Sequence, residues 1–322
     1  MPAIEVTDLR RTYRTTTGFF RRGALDVEAV RGITFDVDHG ELFGLLGPNG
    51  AGKTTTIKML ITLLLPTAGA ARVLGYDVVE DAYEVRKRVG YVFGGDRGLY
   101  DRLSALDNLR YFAELYGVPP RDQKRRICEL LELVGLTGRE RERVEGYSRG
   151  MRQRLHIARG LLHDPLVLFL DEPTIGVDPV GARELRATIA ALAEAGKTVL
   201  LTTHYMFEAD ALCDRVAVIT RGEIVAEGPP KQLKALVAGG LVVEIEVYGI
   251  PEVVLNEVRR VAGVRSVAVE ERDQAQVIVV SVEPGEEVTP ALLAPLNGTN
   301  VGRVAVREPT LEDAYVALVA EE

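Results

Sequence analysis

"GPNGAGKT", Gly47 to Thr54, fits the spacing G-x-x-x-x-G-K-[ST]. It follows "ELFGLLG", which reads as a buried strand, and opens "KTTTIKMLITLLL", which reads as a helix. Strand, glycine loop and helix in that order make a phosphate cradle. Gly47, Pro48, Asn49, Gly50, Ala51 and Gly52 form the loop. Its glycines let successive backbone N–H groups curl around phosphate oxygens, and the helix N-terminus adds its positive end. Lys53 is placed to reach the β- and γ-phosphates, and the Thr54 hydroxyl to ligate Mg²⁺, with Thr55 on the same turn. The ligand expected here is a phosphate chain with Mg²⁺.

"LVLFLDE", residues 166–172, supplies a second half. An apolar strand ending in Asp puts the Asp171 carboxylate at the strand's C-terminal edge, beside the phosphate loop, where it can hold the Mg²⁺ shell. Glu172 then points at the terminal phosphate and can accept a proton from an attacking water, or orient it.

Between and around these stretches, apolar strands alternate with helices, which predicts a mainly parallel α/β sheet covered on both faces. "AIEVTDL" and "ITFDVD" read as short strands separated by the polar loop "RTTTGFFRRG". From about 104 to 163 the pattern turns helical, with caps at Ser104 and Ser148. "RVAVITRGEIVAEG" reads as a hairpin turning at Arg221-Gly222. "VAGGL", 237–241, reads as a boundary. Beyond it the order is βαββαβ with a terminal helix, a ferredoxin-like α+β candidate.

Composition narrows the function. Of 322 residues, 47% are hydrophobic, enough for a sizeable core. The net charge of −8 argues against a general nucleic-acid binder, since phosphate backbones demand a positive face. Cys128 and Cys213 are the only cysteines and lack metal-site spacing, consistent with a reducing cytoplasm. The N-terminal stretch lacks a signal-peptide core, and "MLITLLLP" is too short to span a bilayer. The chain is therefore expected to be soluble, with any membrane association made through a partner.

Taken together and in this order, the motifs resemble the ATP-binding subunit of an ABC transporter, over about residues 1–235. By that resemblance "GPNGAGKT" is the Walker A loop and "LFLDEP" is Walker B with its glutamate. "YSRGMRQR" resembles the LSGGQ signature, and "IGVDP", with Asp178, the D-loop. His204 in "LLTTH" matches the switch histidine, and Tyr13 the aromatic that stacks on adenine. From the residues alone, Tyr13 also reads as a strand tyrosine and His204 as a core histidine. Asp178 before Pro179 also reads as a helix N-cap. The resemblance implies a P-loop ATPase domain over 1–239, with an N-terminal antiparallel β part and a helical subdomain at about 100–163. A C-terminal accessory domain follows at 240–322.

The resemblance also accounts for "YSRGMRQRLHIARG", Tyr147 to Gly160, with its four arginines in an acidic chain. Two such domains associate head to tail, and each signature closes over the partner copy's ATP. Ser148 and Gly150 then contact that nucleotide in trans, with Asp178 at the dimer interface, and the helix dipole points at the γ-phosphate. The four arginines spread around the helix, so several are expected to be solvated or paired with carboxylates. Tyr147, Arg149 and Met151 depart from LSGGQ. The Y-S-x-G-M variant and the tail "EPTLEDAYVALV" resemble the daunorubicin-type and ABC-2-type exporter branch.

The implied activity is ATP hydrolysis, catalysed by Glu172 with His204, driving a membrane exporter. The implied partners are a second copy and a separate polytopic membrane subunit at the inner face of the cell membrane, with no nucleic acid. A nucleic-acid or ribosome-associated ATPase and an importer subunit are the alternatives. The family usually places a glutamine after a strand like "VGYVF", as a Mg²⁺ ligand. Here that position falls on Gly94 or Gly95, so no glutamine ligand is expected from this loop. Asp96 is the nearby oxygen donor, read either as a substitute or as a turn aspartate.

Overall fold

The computed structural model describes residues 1–17, 23–95, 98–237, 241–272, 275–283 and 288–320. Phe19 and Phe20 of the polar loop, Asp96, and Ala238 to Gly240 of the expected boundary lie outside the described residues. Two compact units divide the chain, Met1–Glu227 and Gly228–Glu322.

The first unit is built on two sheets. β1 (Ile4–Thr17) and β2 (Gly23–Val37) form a long antiparallel hairpin, continued by β4 (Ala68–Val73) and β5 (Tyr76–Asp77). β1 runs four residues into the stretch read as loop, and β2 begins at that stretch's last residue, Gly23, well before "ITFDVD". The outer end of β1, Arg14 to Thr17, carries no apolar residue, so no apolar alternation announces it. The second sheet has the order β10-β9-β3-β8-β7-β6. Its strands are β3 (Leu42–Leu46), β6 (Val89–Phe93), β7 (Val167–Asp171), β8 (Thr198–Thr203), β9 (Arg215–Thr220) and β10 (Glu223–Gly228). β9, β3, β8, β7 and β6 are parallel, and β10 returns beside β9. That turn falls at Arg221-Gly222, both at positive φ (47° and 86°), as a tight hairpin requires.

β3, β7 and β8 are buried at every position, as expected of strands covered on both faces. The two sheets share one core. Phe35 of β2 stacks on Phe43 of β3 with ring centroids 5.4 Å apart, and Ile33, Leu45, Ile57 and Phe169 join them. Helix α1 (Lys53–Leu60) ends sooner than expected. Thr62 turns left-handed at φ 65°, and the Leu63 and Leu64 amides fold back onto the Lys58 carbonyl. α2 (Ala82–Arg88) precedes β6.

The helical part contains α3 (Ala105–Leu115), α4 (Pro120–Leu133), a 3-10 turn at Val144–Gly146, and α5 (Arg149–Gly160). Ser104 and Ser148 cap α3 and α5 as expected, accepting from the Asp107 and Met151 amides. α6 (Pro179–Glu194) and α7 (Met206–Leu212) flank β8 in sequence. Among the described residues no helix is long and apolar enough to cross a membrane.

The second unit begins with α8 (Pro230–Val237), a helix the sequence reading passed over. β11 (Val242–Val247), α9 (Glu252–Val258), β12 (Val264–Arg272), β13 (Ala275–Val282), α10 (Thr289–Leu293), β14 (Val301–Arg307) and α11 (Leu311–Ala320) follow. The sheet order β12-β13-β11-β14 with antiparallel pairing is the ferredoxin-like arrangement. Ile245, Val247, Val258, Ile278, Val280 and Leu292 form its core. α8 packs on α11. Thr310 and Asp313 exchange hydrogen bonds in a capping box that starts α11.

Candidate functional site

β3 delivers the glycine loop at its C-terminal end, and α1 departs from the loop at Lys53. A Cβ on Gly47 would lie 2.1 Å from the Ile219 carbonyl oxygen, so only glycine lets the loop pass over β9. Gly50 and Gly52 turn through positive φ (83° and 110°), which aims the first turn of α1 across the strand ends. That turn carries the amides a helix leaves without internal partners. Pro48, Asn49 and Gly50 are exposed.

Lys53 is only 4% exposed. Its Nζ donates to the Gly47 and Pro48 carbonyls at 2.7 and 3.0 Å and lies 3.2 Å from Glu172 Oε1. The cation is thus held inside the loop with its charge aimed along it. The Thr54 hydroxyl donates to Asp171 Oδ1 at 3.1 Å. β8 stands between β3 and β7. Thr202 of that intervening strand sits opposite Asp171 and completes the link. Its hydroxyl donates to Asp171 Oδ1 at 2.6 Å and accepts from the Glu172 amide at 3.1 Å. The Tyr91 hydroxyl is held in its neutral form by burial and by the Asp171 carboxylate.

Glu172 takes φ 50°, a left-handed conformation that costs a non-glycine residue about 1–2 kcal/mol. The turn lifts its carboxylate away from the β7 axis, so that both oxygens have basic neighbours. Lys53 faces one oxygen. His204 Nδ1 lies 3.2 Å from the other, Oε2, although the approach is not aligned as a hydrogen bond. The His204 ring lies against Tyr205, with centroids 4.1 Å apart and planes tilted by 40°. Behind it the buried Glu208 accepts from the Thr203 hydroxyl at 2.9 Å, and Thr203 accepts from the Tyr205 amide at 2.9 Å.

Five of the expected side chains, Lys53, Thr54, Asp171, Glu172 and His204, therefore converge. Three others meet at a second place. Ser148 caps α5, and Asp178 caps α6 by accepting from the Val180 and Gly181 amides. Gly150 brings the two helix starts together: a Cβ there would lie 3.3 Å from Val177 Cγ1 and 3.5 Å from Gly181 Cα. Ser148 and Asp178 are exposed, so two helix N-termini open side by side on the surface. Tyr13 belongs to neither group. It pairs with Val27 in the β1–β2 hairpin, under the Arg11 guanidinium at 4.8 Å.

The α5 arginines divide by task. Arg152 pairs with Asp101 at 2.7 Å and Arg154 with Glu184 at 3.3 Å. Arg159 is buried between the Phe93 and Phe112 rings and donates to the Gly98 carbonyl at 2.6 Å. Arg149, on the first turn, is exposed and, among the described residues, reaches the Gly176 carbonyl at 3.5 Å.

Thr202 and Gln153 went unread in the sequence. A hydroxyl two positions before His204 at the end of a buried strand was the available signal for Thr202. Gln153 is buried and donates to the Phe93 carbonyl at 3.3 Å, at the mouth of the loop that carries no glutamine. Gly94 shows why none stands there: a Cβ would lie 2.3 Å from the Glu172 carbonyl oxygen.

Hard oxygen donors and a sunken cation suit a polyphosphate with a small divalent cation. Among the described residues no cluster of three His, Cys, Asp or Glu side chains could enclose a metal. Thr54 and Asp171 suit a cation that takes its remaining ligands from phosphate and water.

Comparison with known proteins agrees with this geometry. The ABC transporter family model matches residues 30–175, which span the glycine loop, Ser148, Asp171 and Glu172. The linearmycin resistance ATP-binding protein LnrL of Bacillus subtilis (strain 168) is 38% identical over 291 residues, 90% of this chain and 93% of that one. The daunorubicin resistance ATP-binding protein DrrA3 of Streptomyces coeruleorubidus is 38% identical over 303 residues, 92% of this chain and 93% of that one. Among solved structures, an ATP binding subunit of an ABC transporter is 30% identical with a TM-score of 0.60, covering 73% of this chain and 92% of that one.

Proposed function

This chain belongs to the ABC transporter family of ATP-binding proteins, and from that premise we propose that it is the ATP-hydrolysing subunit of a membrane exporter. The observation that carries the proposal is the meeting of Lys53, Thr54, Asp171, Glu172 and His204 at one edge of a parallel sheet. Relatives named for resistance to linearmycin and daunorubicin, matched over nine-tenths of the chain, support export of an antibiotic-like cargo. The translocation path belongs to a separate polytopic subunit, which holds this chain at the inner face of the membrane.

ATP lies along the glycine loop, with its β- and γ-phosphates drawing Lys53 away from Glu172. Tyr13 takes the adenine. Thr54 and Asp171 would hold Mg²⁺, which would supply positive charge to neutralise the phosphate oxygens. Glu172 accepts the proton of the water that attacks the γ-phosphorus, and His204 steadies the terminal phosphate. Ser148, Gly150 and Asp178 act across a head-to-tail homodimer, closing the α5 N-terminus over the partner copy's nucleotide. Each hydrolysis reopens the pair and moves the membrane subunit. The second unit is an accessory domain.

Glu172→Gln tests the reading. The amide is isosteric but cannot serve as a base, so turnover should fall at least about 100-fold. Nucleotide affinity should be kept or raised, because the amide releases Lys53 and removes a negative charge from beside the phosphate. The variant should run as a dimer on a sizing column with Mg-ATP and as a monomer without it. Wild-type turnover in this variant would remove Glu172 from the chemistry. A monomer under both conditions would remove the head-to-tail arrangement.

A further inference from the structure

α5 holds both ends of the glycine loop that follows β6. At the near end Gln153, buried on α5, donates from Nε2 to the Phe93 carbonyl at 3.3 Å. At the far end Arg159 of the same helix donates to the Gly98 carbonyl at 2.6 Å. Two turns of one helix thus grip one loop. At the near end a cleft of about 270 Å³ separates the first turns of α5 from the stretch after Glu172, lined by Gly95, Arg149, Gln153, Ile175, Gly176 and Val177.

The near end bears directly on the Asp171–Glu172 pair. Phe93 lies opposite Asp171 in the β6–β7 register. The Gly94 amide donates to the Asp171 carbonyl at 2.7 Å. The Gly94 Cα is pressed against the Glu172 carbonyl so closely that no side chain fits there. Gln153 is also rigidly tied to the helix start. It stands five residues beyond the Ser148 cap, about 7.5 Å along the helix axis. A displacement of that helix start therefore carries Gln153 with it, and Gln153 carries the Phe93–Gly94 backbone.

We infer that Gln153 is a positioning residue for the reaction at Glu172. It relays the seating of α5 to the Asp171–Glu172 turn through the Phe93–Gly94 backbone, without touching nucleotide. This rests on the ATPase reading above. Gly94 has no room for a side chain that could do this work. The relay instead runs from the helix to the loop, through one amide donor.

Gln153→Met keeps the length of the side chain and removes the donor. In the full-length protein, kcat for ATP should fall about tenfold, which is what one lost neutral hydrogen bond is worth. Mg-ATP affinity, measured at equilibrium, should stay within about twofold. Gln153→Glu keeps the shape and sets an anion against the Phe93 carbonyl, so its kcat should fall at least as far. Turnover within about twofold of wild type in either variant overturns the inference. So does a loss of kcat matched by an equal loss of nucleotide affinity, the mark of a merely structural side chain. Amide hydrogen exchange at Gly94 gives a readout independent of hydrolysis, and it should quicken about tenfold in Gln153→Met. Should the wild-type protein itself fail to hydrolyse ATP, the ATPase reading falls, and unchanged exchange at Gly94 would still overturn the relay.

Discussion

His156 is a basic side chain with no place for a second proton. Its ring is fully buried on α5, 5.6 Å from the Phe93 ring, and neither ring nitrogen has a hydrogen-bond partner among the described residues. Burial, then the nearby Arg159 and Arg152 cations, push it from 6.5 down to about 3. The unfolded chain therefore binds a proton below pH 6.5 that the folded chain refuses until about pH 3. A lowered histidine contributes its stability above the unfolded value and loses it as the pH falls through that window. At pH 5 the loss from this one ring is about 2 kcal/mol relative to pH 8. His163 is lowered in the same direction, chiefly by burial, so some acid sensitivity persists without His156. His156→Leu should therefore resist urea better than wild type at pH 5 and show a smaller fall between pH 8 and pH 5. An equal fall in both proteins would contradict the argument. The sequence displays His156 as one more polar residue in an arginine-rich helix, and only the packing shows that it is sealed. The residues of the candidate site were legible because each ends an apolar strand or opens a helix. Thr202 and Gln153 were not, because their partners lie 31 and 60 residues away and parallel pairing or helix docking brings them together.

At the scale of the element, the loop after β6 is governed by two adjacent glycines with opposite surroundings. At Gly94 a Cβ would strike the Glu172 carbonyl at 2.3 Å and Ile175 Cγ2 at 2.7 Å. At Gly95 nothing lies within 4 Å, and only its φ of 104° resists a side chain. Gly94→Ala should therefore shift the Glu172 turn and reduce ATP turnover about tenfold or more. Gly95→Ala should cost about 1–2 kcal/mol of backbone strain and leave turnover close to wild type. Parallel measurements of melting temperature and kcat separate the two, and equal losses of turnover at both positions would refute the distinction. The same contrast explains why no glutamine stands at Gly94. Other elements were legible in proportion to their patterning. The covered strands announced themselves as apolar runs. The outer end of β1 did not, since Arg14 to Thr17 carries no apolar residue. α1 ended early because Thr62 turns left-handed, leaving Leu63 and Leu65 exposed where a continuing helix had been read.

The whole molecule is two units, each with a core of its own. The core that joins Ile33, Phe35, Phe43 and Phe169 lies before Glu227, and the one that joins Ile245, Val258, Ile278 and Leu292 lies after Gly228. Every residue of the phosphate site precedes Glu227. A fragment of residues 1–227 should therefore fold and bind ATP. α8 lies just beyond that edge and before the "VAGGL" boundary read from the sequence. It buries Leu233 in a unit where it packs on α11, whose Leu311 and Ala314 are also buried. Ending the chain at residue 239 keeps α8 and discards α11, which leaves the Leu233 side of the helix without its partner. The 1–239 fragment should bind ATP as well as 1–227 but be less soluble, with more dye-accessible apolar surface. Sizing, dye binding and melting temperature compared between the two fragments test this. If 1–239 runs as a single species while 1–227 aggregates, α8 belongs to the nucleotide-binding unit and the edge lies after it.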